Sequence, residues 1–173
     1  VTSVIDALFA TLPHTPFSAS TREALERCYV PGRSMAEAYA RFIEHLLGRH
    51  GLVVFESADA AAKPLARELF AAELGHPGRS SALAIAAGER SRALGFAPQV
   101  VPIEGSAALF QLTPDREAVR VPFDGAALAE QALAHPERFS PNVLLGPVVQ
   151  DALCGNSGYV AGPGVLACHW QLG

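Results

Sequence analysis

The stretch FSPNVLLGPVVQDALCGNSGYVAGPG, Phe139 to Gly164, places three prolines and five glycines around a helix-length apolar run, and its polar residues are mostly amides and hydroxyls. Ser140 or Asn142 can cap a helix that begins near Pro141, where the missing proline N–H is harmless. A helix start exposes backbone donors and a partial positive charge, which suits an anionic group. Gln150 and Asp151 lie too far down that helix to share the anion. Gly162-Pro163-Gly164 would let another backbone or a ligand come close. Tyr159 adds an amphipathic ring with a hydroxyl, and Asn156 adds an amide. The candidate substrate-binding residues are therefore Ser140, Asn142, Asn156, Tyr159, Gly162, Pro163 and Gly164.

No covalent nucleophile or general base is assigned. The three cysteines, Cys28, Cys154 and Cys168, are too few and too odd in number for a disulfide framework. They read as small buried hydrophobes, and nothing marks Cys154 or Cys168 as a thiolate. Cys154, Cys168 and His169 match no zinc spacing and lack a fourth ligand, so no metal is expected. The six histidines are scattered. His50-Gly51 and His135-Pro136 sit where helix ends are expected, and there a partly charged imidazole is favoured by the dipole. Glycine-rich dinucleotide and phosphate loops, H-E-x-x-H and G-x-S-x-G are all missing, so no cofactor is assigned.

The elements that must position the candidate site follow from periodicity. Val4, Ile5, Leu8 and Leu12 give a first helix over Val1–Leu12. Ser20 with Glu23, and Ser34 with Glu37, read as capping boxes that open a second and a third helix. The third is the best formed. Met35, Ala38, Tyr39, Phe42, Ile43, Leu46 and Leu47 share one face, and Gly48 or Gly51 ends it. Leu52–Phe55 is a short continuous apolar run, as in a strand covered on both faces. Helices are expected from about Ala60 to Leu74, with Pro64 in the first turn, and from Ser80 to about Leu94. Leu74–Ser81 between them is the one candidate hinge, better read as an ordinary loop. Pro98–Ile103 is strand-like. ALFQL and AVRVPF around TPDR (113–116) read as a hairpin. Ala126–Leu133 and Pro141–Cys154 should be helices, residues 158–162 a short strand or loop, and Val165–Leu172 a final helical turn or two. That order suggests α/β layers in a single domain over residues 1–173.

The totals agree with such a domain. The chain has 173 residues, 50% of them hydrophobic and 17% charged, with a net charge of −4. A chain of this length can bury roughly 70% of its unfolded surface. Lysine occurs once, at Lys63, and there is no basic run to neutralise phosphates, so no nucleic-acid partner is expected. The opening residues lack the pattern of a signal peptide, no apolar run reaches the ~20 residues of a membrane span, and a cytoplasmic location is expected.

Several stretches together resemble the cysteine ligase family of bacillithiol biosynthesis. YVPGRSMAEAYARFIEHLLGRHGLVVFES is similar to the family's Pro-Gly-Arg turn, amphipathic helix and apolar strand. LGFAPQVVPIEGSAALFQL resembles its Gln-Val strand, Glu-Gly pair and hairpin, and HPERFSPNVLLGPVVQDAL followed by YVAGPG resembles its most recognisable block. The resemblance covers the whole chain but about the central third of a family member. It implies a partial Rossmann-like layered α/β core with a β-hairpin, equivalent to the second half of the ligase core. The N-terminal half and a C-terminal coiled coil would lie outside this sequence. It also implies a small-molecule substrate, an amide-forming addition of cysteine to an amino sugar malate conjugate, and a protein partner that supplies the remaining half of the core. Four places depart from the family pattern, one of them being Cys168 or His169 where the family has an aromatic residue. Gly146 stands where the family carries arginine, Leu153-Cys154-Gly155-Asn156 replaces its Leu-Leu-Pro-Thr, and Val165 replaces a glutamate. Losing arginine removes a rigid donor fork for carboxylate or phosphate. Losing glutamate removes a charge suited to an amine or a helix start. A module that keeps the ligase scaffold and binds a ligand or partner without catalysis is the alternative.

Overall fold

The structure, a computed structural model, describes residues 1–57, 59–115, 117–124 and 127–172. The chain divides into two compact units, Val1–Ser57 and the residues that follow.

The first unit holds three helices, α1 (Thr2–Thr11), α2 (Ser18–Cys28) and α3 (Met35–Leu47). Its buried side chains are Ile5, Ala24, Cys28 and Ala38, and the Tyr29 and Phe42 rings meet at 6.5 Å. Arg22 on α2 is ion-paired to Asp6 on α1 and to Glu26 at 2.9 Å. Its hydrogen bond to Asp6, then that to Glu26, raises the guanidinium pKa above its ordinary value. Of the two expected capping boxes, one forms by half: Ser34 caps, while the Glu37 carboxylate faces Arg41 and Arg33 instead of the Ser34 amide. Ser34 is the N-cap of α3, and its hydroxyl accepts from the Glu37 amide at 3.1 Å. Ser20 instead lies inside the first turn of α2, where its hydroxyl donates to the Phe17 carbonyl. The helix starts three residues early, with Phe17 in place of Ser20 as the residue before it, because Ser18 accepts from the Thr15 amide and turns the chain there. Arg33 of the Pro-Gly-Arg turn donates to the Arg27 and Cys28 carbonyls, closing the C-terminus of α2, and lies 3.5 Å from Glu37 on α3. Replacing Ser34 with alanine should remove about 1 kcal/mol from α3. The check is a lower thermal midpoint for the first unit's helicity, which the Ser34→Asp variant should restore.

After α3 a 3-10 turn, Gly48–His50, ends at Gly51 with φ +82°. Leu52–Phe55, expected as a strand, pairs with no strand among the described residues. Its side chains are exposed, Val53 at 87%. A continuous apolar run reads as a strand only where a partner covers it, and none of the described strands does so.

The second unit packs helices on a three-stranded antiparallel sheet. A 3-10 turn (Lys63–Ala66, with Pro64 at its start) leads into α4 (Arg67–Gly75), followed by α5 (Arg79–Ala93). The hairpin forms as expected from β1 (Ser106–Leu112) and β2 (Ala118–Pro122), closed by the Thr113 amide on the Glu117 carbonyl. Arg116 of TPDR lies outside the described residues. Next come α6 (Leu128–Ala134), β3 (Phe139–Pro141), α7 (Gly146–Cys154) and α8 (Pro163–Leu172). Ala126, the expected start of α6, is also outside the described residues. The strand order is β2-β1-β3, so β1 is central. Ala107, Ala108 and Leu109 are all buried on it, as both faces of a central strand require. The core gathers Phe70 and Leu74 of α4, Leu109, Val121, Ala132, Phe139 and Leu145. The chain is thus of the expected α/β class. No helix among the described residues is long and apolar enough to cross a membrane.

Two further expectations change. Pro98–Ile103 forms no ladder, because the Val100 amide and carbonyl are both taken by the side chain of Gln171. The helix expected from Pro141 starts at Gly146, since Pro141 pairs with Leu109 on the edge strand β3, where a proline's missing donor is tolerated.

Gly78, between α4 and α5, has φ +88°, and a Cβ built on it would lie 3.0 Å from the Phe123 ring. Gly78→Ala therefore combines a left-handed backbone, unfavourable by about 1–2 kcal/mol, with a clash that displaces Phe123. Chemical denaturation should show that loss, and the near-ultraviolet signal of the second unit should change with it.

Candidate functional site

Ser140 lies on β3 opposite Phe110 of β1. The Lys63 ammonium approaches its hydroxyl at 3.5 Å and stands 6.0 Å from the centroid of the Phe70 ring. Lys63 is only 5% exposed. Its charge is thus held between an aromatic face and a hydroxyl, where low dielectric strengthens both contacts. With the ammonium as donor, the Ser140 oxygen accepts and its own proton can be donated to a ligand.

Asn142 follows directly and ties the site to the sheet. Its amide donates to the Ala108 carbonyl at 3.0 Å. Its Oδ1 accepts from the Leu144 amide at 2.8 Å and the Leu145 amide at 3.4 Å, and its carbonyl accepts from Gly146. This side-chain turn explains the late start of α7, since it occupies the residues that precede the helix. It also occupies amides that an anion at the helix start would need. The expected cap on this helix, by Ser140 or Asn142, is not formed: Leu145 is the residue before α7 and no side chain caps it, because Asn142 Oδ1 is engaged in the turn that precedes the helix.

The remaining candidates lie beyond α7. Gly155 ends that helix with φ +55°, and Asn156 donates from Nδ2 to Asp151 Oδ1 at 2.9 Å. Tyr159 stacks obliquely on His169, with ring centroids 4.0 Å apart. Gly162-Pro163-Gly164 is not a free turn. Pro163 opens α8, and the Gly162 carbonyl accepts from the Leu166 amide at 3.0 Å. A Cβ on Gly162 or Gly164 would meet open space, so neither glycine is imposed by a close neighbour here. The candidates thus fall into two groups, Ser140 with Asn142, and Asn156, Tyr159 and Gly162–Gly164. Among the described residues no hydrogen bond or ring contact joins the two groups.

Gly146 and Val165, the positions that depart from the family pattern, lie at the starts of α7 and α8. Of the three cysteines expected to be buried, only Cys28 is; Cys168 is half-buried and Cys154, the last residue of α7, is exposed, all as free thiols. Three polar residues were not singled out from the sequence. Lys63 carries a signal, being the chain's one lysine. Glu73 does not, yet it is buried, accepting from the Ala108 amide at 2.7 Å and the Ser80 hydroxyl at 2.6 Å. Gln171 is likewise buried, and only the fold reveals its partners.

Comparison with known proteins adds what the geometry does not contain. A family model described as "Bacillithiol biosynthesis BshC, N-terminal Rossmann-like domain" matches residues 1–173. The chain is similar to proteins named "Putative cysteine ligase BshC" in three bacteria. Identity to the Salinibacter ruber protein is 32%, across 100% of this chain and 34% of the relative. For Chlorobaculum tepidum it is 31%, across 90% of this chain and 30% of the relative. For Geobacillus kaustophilus it is 32%, across 84% and 30%. The chain thus spans about a third of the length of the curated relatives it matches.

Proposed function

Because the chain belongs to the bacillithiol biosynthesis BshC family, matching its N-terminal Rossmann-like domain throughout, we propose that it forms part of a cysteine ligase. That enzyme adds cysteine to an amino sugar malate conjugate through an amide bond, in the synthesis of a bacillithiol-type thiol. The observation that carries this reading is the match over residues 1–173, together with relatives named "Putative cysteine ligase BshC". In this reading residues 1–173 act as one α/β domain in the cytoplasm, and a further protein segment completes the core.

Ser140, Asn142, Asn156, Tyr159, Gly162, Pro163 and Gly164 bind the substrate, and Lys63 joins them through Ser140. Ser140 donates to an acceptor on the substrate, with Lys63 holding the hydroxyl oriented. The chain assembled with the flanking segments of the Salinibacter ruber relative should form the cysteine amide, read by mass spectrometry. A folded assembly without product would sink the proposal. In an active assembly Ser140→Ala should raise KM about fivefold, the equivalent of one hydrogen bond, and leave kcat nearly unchanged.

The glycine at 146 and the valine at 165 favour a second reading, a ligand-binding module without turnover. It predicts substrate binding by the same assembly with no product. Binding that appears only after Gly146→Arg and Val165→Glu would count against it.

A further inference from the structure

Glu73 on α4 is a buried carboxylate with no part in the proposed substrate contacts. It is 6% exposed, and a charge so placed is costly unless hydrogen bonds compensate it. Both of its oxygens are engaged. Oε1 accepts from the Ala108 amide at 2.7 Å, and Oε2 accepts at 2.6 Å from the hydroxyl of Ser80, half-buried in the first turn of α5. The first of these bonds falls at an irregularity of the sheet. Between Ser106 and Phe110 the register of β1 against β2 shifts, with four residues of β1 passing two of β2. Such a bulge interrupts the ladder and re-aims the strand that follows. Ala108 lies inside the shift, and the Glu73 carboxylate, in place of β2, receives its amide. The same residue leads directly to the candidate site. The Ala108 carbonyl accepts from the Asn142 amide at 3.0 Å, and next to it Leu109 pairs with Pro141 and Phe110 with Ser140. The two peptide groups that flank the Ala108 Cα are joined by only two soft dihedrals, so holding one restricts the other.

We propose that Glu73 is the positioning residue for Ser140 and Asn142. Its carboxylate pins the bulge of β1 to α4, and the pinned bulge fixes where the β1–β3 register begins. A slip of one residue there would turn Ser140 to the opposite face of the sheet, away from the Lys63 ammonium that orients its hydroxyl. It would also withdraw the Ala108 carbonyl from Asn142, whose side chain holds the Leu144 and Leu145 amides. Ser80 keeps the carboxylate aimed at Ala108 by engaging its second oxygen. Glu73 itself touches no substrate and acts through the two residues it aims.

The inference rests on the assignment of Ser140 and Asn142 to substrate binding and names what aims them. Glu73→Asp keeps the charge and shortens the reach. Glu73→Gln keeps the reach and removes the charge, with Ser80 accepting from the new amide. If position is what matters, the aspartate variant is impaired and the glutamine variant stays close to the parent. In the full chain, hydrogen exchange at the Asn142 amide should quicken about tenfold in Glu73→Asp and less than about twofold in Glu73→Gln, while the β1–β2 pairs from Phe110 onward keep their protection. In the assembly with the flanking Salinibacter ruber segments, affinity for the amino sugar malate conjugate, read by calorimetry, should fall about fivefold in Glu73→Asp alone. KM should rise with it and kcat stay level, a split that a mere loss of stability would not produce. Ser80→Ala removes only the second bond and should quicken exchange at Asn142 about threefold, which decides the matter if the aspartate variant does not fold. Unchanged exchange at Asn142, unchanged affinity in the aspartate variant, or equal impairment by glutamine overturns the inference. If the affinity series holds but the assembly forms no product, the ligase reading alone fails. If product forms and affinity ignores the series, this inference alone fails. An assembly that neither binds nor converts the conjugate overturns both.

Discussion

Phe70→Ala should unfold the second unit at a thermal midpoint more than about 10 °C below the parent. Phe70 is 0% exposed and sits in the core cluster beside Leu74, Leu109 and Phe139. Truncating a buried phenylalanine removes its transfer free energy and leaves a cavity, together about 3–5 kcal/mol, and a domain of this size loses roughly 4 °C per kcal/mol. The ring also faces the Lys63 ammonium at 6.0 Å. The alanine variant therefore strips an attractive surface from a buried cation as well as emptying space. Phe70→Leu separates the two effects. It refills much of the volume without the aromatic face, so it should recover most of the midpoint. A Phe70→Ala midpoint within a few degrees of the parent would show that the core closes over the gap.

The second large effect is expected at Gln171, which is 2% exposed on the last helix. Its Oε1 accepts from the Val100 amide at 2.9 Å, and its Nε2 donates to the Val100 carbonyl at 2.6 Å and the Ala84 carbonyl at 3.2 Å. Gln171→Leu preserves the bulk and deletes all three bonds. It leaves the amide and carbonyl of a buried residue without partners, each a penalty of about 1–3 kcal/mol. A loss of about 3 kcal/mol should follow. Hydrogen exchange gives the sharper readout, because the Val100 amide should lose its protection while the β1–β2 ladder keeps its own. Unchanged protection at Val100 would mean that water or a rearranged backbone replaces the glutamine.

What the sequence discloses follows the range of each interaction. Ser34 caps the Glu37 amide three residues on, and that geometry is written locally. The hairpin around residues 113–116 is local too, and it appears where its turn residues lie. Leu52–Phe55 and Pro98–Ile103 have strand composition, but a strand exists only through its partner. The first pairs with no described strand, and the second is held by a side chain 71 residues away. Pro141 departs from expectation for a different reason. Proline suits both a helix start and an edge strand, and Pro147 is the one that falls in the first turn of α7. At the candidate site, Asn142 is legible as a residue that turns the chain, though not as the cap of α7, while the burial of Lys63 beside Ser140 depends on bringing the 3-10 turn Lys63–Ala66 against β3, 77 residues away. The glycines at 162 and 164 read as space for a ligand, whereas here they flank the proline that opens α8.

Gln171 has one more consequence, in the order of synthesis. The Val100 peptide group leaves the ribosome some seventy residues before the side chain that satisfies it, given the 71-residue separation of the pair. Closing so long a loop is entropically demanding and slow. During translation the edge of the second unit beside α5 therefore stays hydrated and unlatched while the hairpin and α6 are already available to fold. The latch engages only when α8 emerges, so a nascent chain stalled before that helix should expose the 98–103 segment to proteases and chaperones, and one released after it should not.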